Sequence, residues 1–301
     1  MQRTITIKIL LNTTLLLFLL LIGFPGVVSG QDEADFRETK RLAERGLAFA
    51  QVNLGLMYDL GEGVPENKME ATRWYRLAAE QGYASGQYNL GLMYDLGEGV
   101  PENDAEAVKW YGLAAEQGNA LAQTNLGLMY HNGEGVPEND AEAVRWYRLA
   151  AEQGNALAQT NLGLMYRNGE SVPKNDAEAA RWYRLAAEQG YASGQYNLGL
   201  MYDLGEGVPS NEAEAVRWYR LAAEQGYALA QTNLGLMYAT GEGVPQNNAR
   251  AYMWWSVAAA QGNESARGNR DIVADRLAPD QLARGQDMAT RCFESDYQDC
   301  E

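Results

Sequence analysis

The string Asn-Leu-Gly-Leu-Met-Tyr begins at Asn53 and returns at Asn89, Asn125, Asn161, Asn197 and Asn233, each time after 36 residues. A fixed period of this size means a stack of equivalent supersecondary units, each too small to bury a core by itself. The repeat overrides length, since 301 residues of which 46% are hydrophobic would otherwise suggest two globular domains. Stacked units make one elongated domain whose stability grows by nearest-neighbour interfaces.

One unit runs from Tyr83 to Gly118. Residues Ala84 to Leu96 contain no proline, and the repeated Ala84, Gln87, Leu90, Gly91 and Tyr94 fall three and four apart, which is one face of a helix, here helix A. Gly97 follows at the C′ position, where a left-handed backbone is cheap only for glycine. Asn103 stands where an N-cap belongs, with Glu106 three residues on in a capping-box arrangement. Helix B then runs from about Asp104 to a second C′ glycine, Gly118, and carries Ala107, Trp110, Tyr111, Ala114 and Ala115 inward. Small residues opposite large ones let two antiparallel helices interdigitate.

The motifs that would signal chemistry fail their context tests. The Gly-Glu-Gly-Val-Pro loop lacks the preceding strand and the following Lys-Ser or Lys-Thr of a phosphate cradle. All seven tryptophans (Trp74, Trp110, Trp146, Trp182, Trp218, Trp254 and Trp255) occupy the helix B core site, so they read as packing residues rather than a sugar platform. Glu70, Arg73, Arg76 and Glu80 are spaced as a solvated helix face. His131 is the only histidine, so neither a catalytic set nor a four-ligand zinc site can be assembled. No enzyme activity, metal or cofactor is expected.

The pattern Ala-x-x-Gln-x-x-Leu-Gly-x-x-Tyr, then Gly-x-Gly-Val, then Ala-x-x-Trp-Tyr-x-x-Ala-Ala-x-x-Gly resembles the Sel-one-like repeat (SLR), a 36-residue relative of the tetratricopeptide repeat. Six copies match over residues 47–262. The resemblance implies an all-α fold, a right-handed α/α superhelical solenoid with capping helices, used as a scaffold or adaptor that holds other proteins. It names no partner.

Residues 1–30 differ in kind: Arg3 and Lys8, an apolar block from Leu15 to Ile22, then Pro25-Gly26 and the small residues Val28-Ser29-Gly30. This pattern predicts a signal peptide cut near Gly30 and an exported chain, in the periplasm or outside the cell. A retained anchor is the alternative, but Pro25-Gly26 shortens the helical part of the uncharged run to less than the roughly 20 residues a bilayer needs. The formal charge of -16 argues against nucleic acid and against anionic membrane surfaces as partners. Residues 31–46 align with helix B but carry Glu38 and Thr39 in place of the Trp-Tyr pair, as a polar N-terminal cap would. Residues 263–292 should supply C-terminal capping helices, with 293–301 as a tail. Cys292 and Cys300 are the only cysteines, and in an exported chain they are expected to pair, with two free thiols as the alternative.

A binding face is expected where the copies differ on helix A. The varying positions, together with Leu92 and Leu200, which share their face, give the candidate set Tyr88, Leu92, Asp95, Leu96, Thr124, Thr160, Tyr196, Leu200, Asp203 and Leu204. Related solenoids line their concave side with helix A, so the resemblance puts these residues in a groove. The mixture of apolar, aromatic and acidic side chains suits a protein or peptide partner of amphipathic or extended form with basic character. A glycan is the alternative ligand, suggested by the tyrosines.

Overall fold

The computed structural model describes residues 30–300, so the signal-peptide reading lies outside the described residues apart from Gly30. Among them the chain is all helical, and the helices follow the 36-residue period. A cap, α1 (Gly30–Glu44), leads into six pairs. The A helices are α2 (Ala48–Leu60), α4 (Ala84–Leu96), α6 (Ala120–Asn132), α8 (Ala156–Asn168), α10 (Ala192–Leu204) and α12 (Ala228–Thr240). The B helices are α3 (Lys68–Glu80), α5 (Asp104–Glu116), α7 (Asp140–Glu152), α9 (Asp176–Glu188), α11 (Glu212–Ala223) and α13 (Asn248–Ala260). Two further helices, α14 (Glu264–Ala274) and α15 (Pro279–Glu294), close the stack against α13.

The punctuation works through specific hydrogen bonds. Gly97 has φ 66°, and its N–H donates to the Met93 carbonyl, ending α4. The Asn103 side chain accepts from the Glu106 N–H at 3.1 Å, starting α5. The expected reciprocal half of the capping box is replaced: the Asn103 N–H donates to the Tyr94 carbonyl at 2.9 Å, tying the start of helix B to the end of helix A. The Glu106 carboxylate is left to accept from Lys109 and from the Trp110 indole N–H.

Within a pair, the helix A glycine allows close approach. A Cβ added to Gly127 would lie 2.7 Å from the Tyr147 ring, and one at Gly91 equally close to that of Tyr111. Between pairs, the tryptophan is the interlock: Trp146 packs into the cluster of Ala107, Tyr111 and Ala114 in the preceding repeat with Leu126 of its own, and Trp182 does the same one repeat on. Four of these indoles (Trp74, Trp146, Trp182 and Trp218) are more than nine-tenths buried, as packing residues should be. Each is roofed by the cation before it, Arg145 standing 4.6 Å above the Trp146 ring.

A polar ladder threads the same interface. Buried Gln123 donates to the Ala115 carbonyl of the previous helix B at 3.0 Å and accepts from Gln153 of its own pair at 2.7 Å. The arrangement recurs at Gln51, Gln87, Gln159, Gln195 and Gln231, which satisfies an amide that burial would otherwise penalise.

At the C-terminal end Cys292 and Cys300 are disulfide bonded. The bond folds the last residues back across the stack. Gln298 donates to the Glu224 carbonyl at 3.3 Å, and the Tyr297 ring sits over Gly226. Residues 295–300 are thereby part of the cap.

Candidate interaction surface

Successive A helices come closer together than successive B helices. Helix α2 touches α4, and α8 touches α10, with no B-to-B contact of comparable extent among the described residues. The A helices therefore line the inner curve of the stack.

Which side chains reach that inner surface follows from helix geometry. The hexapeptide holds two leucines two positions apart, roughly 200° around the helix, so they cannot share a face. The first (Leu90, Leu162, Leu198, Leu234) is fully buried. The second forms an inner column in which Leu164 is 39% exposed and Leu236 47%, while Leu56, Leu128 and Leu200 are half-buried and Leu92 is buried. Beside it runs a column of asparagines. Asn125 and Asn233 hydrogen-bond the hydroxyls of Tyr111 and Tyr219 in the repeats before them.

The residues expected from copy-to-copy variation divide into three layers. Leu204 faces solvent, 54% exposed. Tyr88, Asp95, Leu96, Tyr196, Leu200 and Asp203 are half-buried on their A helices. The Tyr88 ring lies 5.9 Å from that of Tyr111, and Tyr196 packs 5.9 Å from Tyr219 and 5.2 Å from Tyr227. Asp95 and Asp203 accept from the hydroxyls of Tyr111 and Tyr219 at 3.1 and 3.0 Å. Leu92, Thr124 and Thr160 lie behind the surface. The two threonine hydroxyls donate to the Ala120 and Ala156 carbonyls of their own helices at 2.8 and 2.9 Å, which leaves only the methyl for packing.

Burial, and secondarily the Asp95 charge, pushes the Tyr88 hydroxyl up to about 12. Burial likewise raises Tyr111, with Asp95 again the next cause. These hydroxyls stay protonated at physiological pH, and that of Tyr111 donates to Asp95. Among the described residues no group of three or more His, Cys, Asp or Glu side chains is arranged to hold a metal, and no helix is long and apolar enough to cross a membrane.

The residues that variation between copies passed over are the repeated Asn125 and Asn161 and the leucines Leu128, Leu164 and Leu236. They are as invariant between copies as the core, and the shared helix face, which marks Leu92 and Leu200 of the same column, is the signal that extends to the other leucines.

The Sel1 repeat family model matches residues 48–83, 84–119, 120–155, 156–191, 192–227 and 228–263. Among solved structures, c5321 of uropathogenic Escherichia coli, a protective antigen with an SLR fold, is 40% identical with a TM-score of 0.75. That match covers 87% of this chain and 57% of the E. coli chain. This sequence thus spans little more than half the length of that relative. A Sel1 repeat protein from Oxalobacter formigenes is 34% identical with a TM-score of 0.67, over 75% of this chain and 94% of its own. No curated protein matches the sequence at a significant level.

Proposed function

The chain belongs to the Sel1 repeat family, and we propose that it is an exported scaffold that holds a partner protein or peptide in the groove lined by its A helices. Sel1 repeats generally mediate protein–protein interaction and are typically non-catalytic. What carries the reading for this chain is the inner leucine column. Leu164 and Leu236 of that column, and Leu204 one turn beyond Leu200, stand open on the A helices, and apolar side chains held on rigid helices form the kind of groove that takes peptide side chains. Tyr88 and Tyr196 form aromatic walls, and Asp95 and Asp203 supply negative charge, which favours a segment with basic residues. Leu92, Thr124 and Thr160 would shape the wall from behind. Export is supported by the leader pattern, by the disulfide, and by the description of the E. coli relative as a protective antigen.

The test is a paired charge insertion. Leu164→Asp with Leu204→Asp should weaken binding of the native partner by tenfold or more while thermal unfolding stays within about 1 kcal/mol, because both sites are solvent-exposed. Unchanged affinity in that variant, combined with loss of binding when outer-face Arg145 and Arg217 are replaced, would overturn the groove.

A further inference from the structure

The B helices of the repeats close with one motif. In repeat 5 the Tyr227 N–H donates to the Ala222 carbonyl at 3.1 Å and the Gly226 N–H to that of Ala223 at 2.9 Å, a Schellman closure in which the glycine takes a left-handed backbone, φ 79°. The closure satisfies those two carbonyls and leaves the next one, that of Glu224, to a donor from outside the helix. The chain supplies the donor from its own C-terminus: the Gln298 side-chain amide reaches the Glu224 carbonyl at 3.3 Å. Beside it the Tyr297 ring lies against Gly226, so close that a Cβ there would stand 2.9 Å from it. Tyr297 and Gln298 therefore act as a ligand that the chain carries itself, seated on one bare glycine and one helix-end carbonyl. A tight turn presents them. Asp296 and Tyr297 have φ 52° and 66°, the Ser295 hydroxyl accepts from the Asp299 N–H at 2.8 Å, and the disulfide closes the loop.

The same seat recurs where the tail does not reach. The pentapeptide Glu-Gln-Gly-Tyr-Ala of residues 224–228 is found unchanged at 80–84 and 188–192. Its backbone is unchanged too. Gly82 and Gly190 have φ 81° and 82°. The N–H groups of Gly82 and Tyr83 donate to Ala79 and Ala78 at 2.9 and 3.1 Å, and those of Gly190 and Tyr191 to Ala187 and Ala186 at 3.0 and 3.1 Å. Over these two glycines an added Cβ meets nothing within 4 Å, and both are exposed, whereas Gly226 is half-buried under the tail.

We propose that the seats at Gly82 and Gly190 bind a partner polypeptide through a tyrosine followed by a side-chain amide, presented on a turn as residues 292–300 present theirs. The ring covers glycine backbone that any side chain would hold off, and the amide donates to the Glu80 or Glu188 carbonyl, which fixes the orientation that apolar contact alone leaves open. Glycine by itself does not mark a seat, since the left-handed turn calls for it in every repeat; the docking of the tail on an identical pentapeptide does. The seats lie where helix B turns into helix A, apart from the leucine column, so the inference does not rest on the groove reading.

The probe is the peptide Cys-Phe-Glu-Ser-Asp-Tyr-Gln-Asp-Cys, closed by its disulfide and dye-labelled, added to the full chain and read by fluorescence anisotropy. It should bind, and a version with alanine for its tyrosine should bind about tenfold weaker or worse. Gly82→Asn combined with Gly190→Asn keeps a residue that tolerates the left-handed turn but fills both seats. Binding should then fall by about tenfold while circular dichroism shows the chain still folded. Gly46→Asn, at a helix end that reads Glu-Arg-Gly-Leu, makes the same change outside the motif and should leave binding unchanged. No binding, equal binding of the alanine peptide, full binding by the double variant, or equal loss in Gly46→Asn each overturns the proposal. Binding abolished by Gly226→Asn but untouched by the double variant would put the peptide on the tail's own seat, and overturns it as well.

Discussion

The junctions between repeats 1 and 2 and between repeats 4 and 5 differ from the junction between repeats 3 and 4, although all three use one template. In the first two, the third residue of helix A is glycine. A Cβ on Gly86 or Gly194 would stand 2.6 Å from the methyl of Ala78 or Ala186, so these helices approach as closely as backbone permits. In the third, Ala158 holds that place and its methyl is fully buried. The middle junction also carries Ser171 where the other loops have glycine, held at φ 53°. The consequence is visible one layer away: neighbouring A helices touch at the two glycine junctions, α2 with α4 and α8 with α10. A single methyl group per repeat thus distinguishes the junctions at which neighbouring A helices touch, without altering the packing stripe.

The largest expected effect falls on the interlock that both kinds of junction share. Trp146→Ala should cost about 3–5 kcal/mol, since it removes a buried indole that joins two repeats. Equilibrium urea unfolding measures it, and a change below 1 kcal/mol would mean that the junctions are held by something else. Next comes the glycine itself. Gly194→Leu should cost about 1–3 kcal/mol through overpacking against Ala186 and Ala187 and should push α10 away from α8, a shift readable by spin-label distances across the two helices. The smallest effect has the opposite sign. Ser171→Gly should stabilise by about 1 kcal/mol, because serine at positive φ carries a strain that glycine lacks. A destabilised variant would show that the Ser171 hydroxyl contributes more than its backbone costs.

Most of the fold was legible because its signals are local and are repeated six times. Asn103 caps a helix start, Gly97 ends one, and Trp110 and Tyr111 mark the buried side, each at a fixed offset from the hexapeptide. Two features were hidden. The Asn103 N–H goes to Tyr94 rather than to Glu106, a choice made by how the loop closes between helices. The open Leu164 and Leu236 repeat as faithfully as the core does, so variation between copies pointed to Thr124 and Thr160 instead, whose hydroxyls are spent on their own helices. Variation reports where sequence is unconstrained, whereas exposure is fixed by angle around the helix and by the neighbouring repeat.

A partner held in the proposed groove lies against the A helices. Site-specific photocrosslinking tests it most directly, with a photoreactive residue placed at Leu164, Leu204 or Leu236 on the inner face and at Leu149 or Leu185 on helix B. A groove-bound partner gives adducts with one polypeptide from the three inner positions and none from the two outer ones. Adducts from Leu149 and Leu185 alone, or adducts made only of glycan, would contradict it.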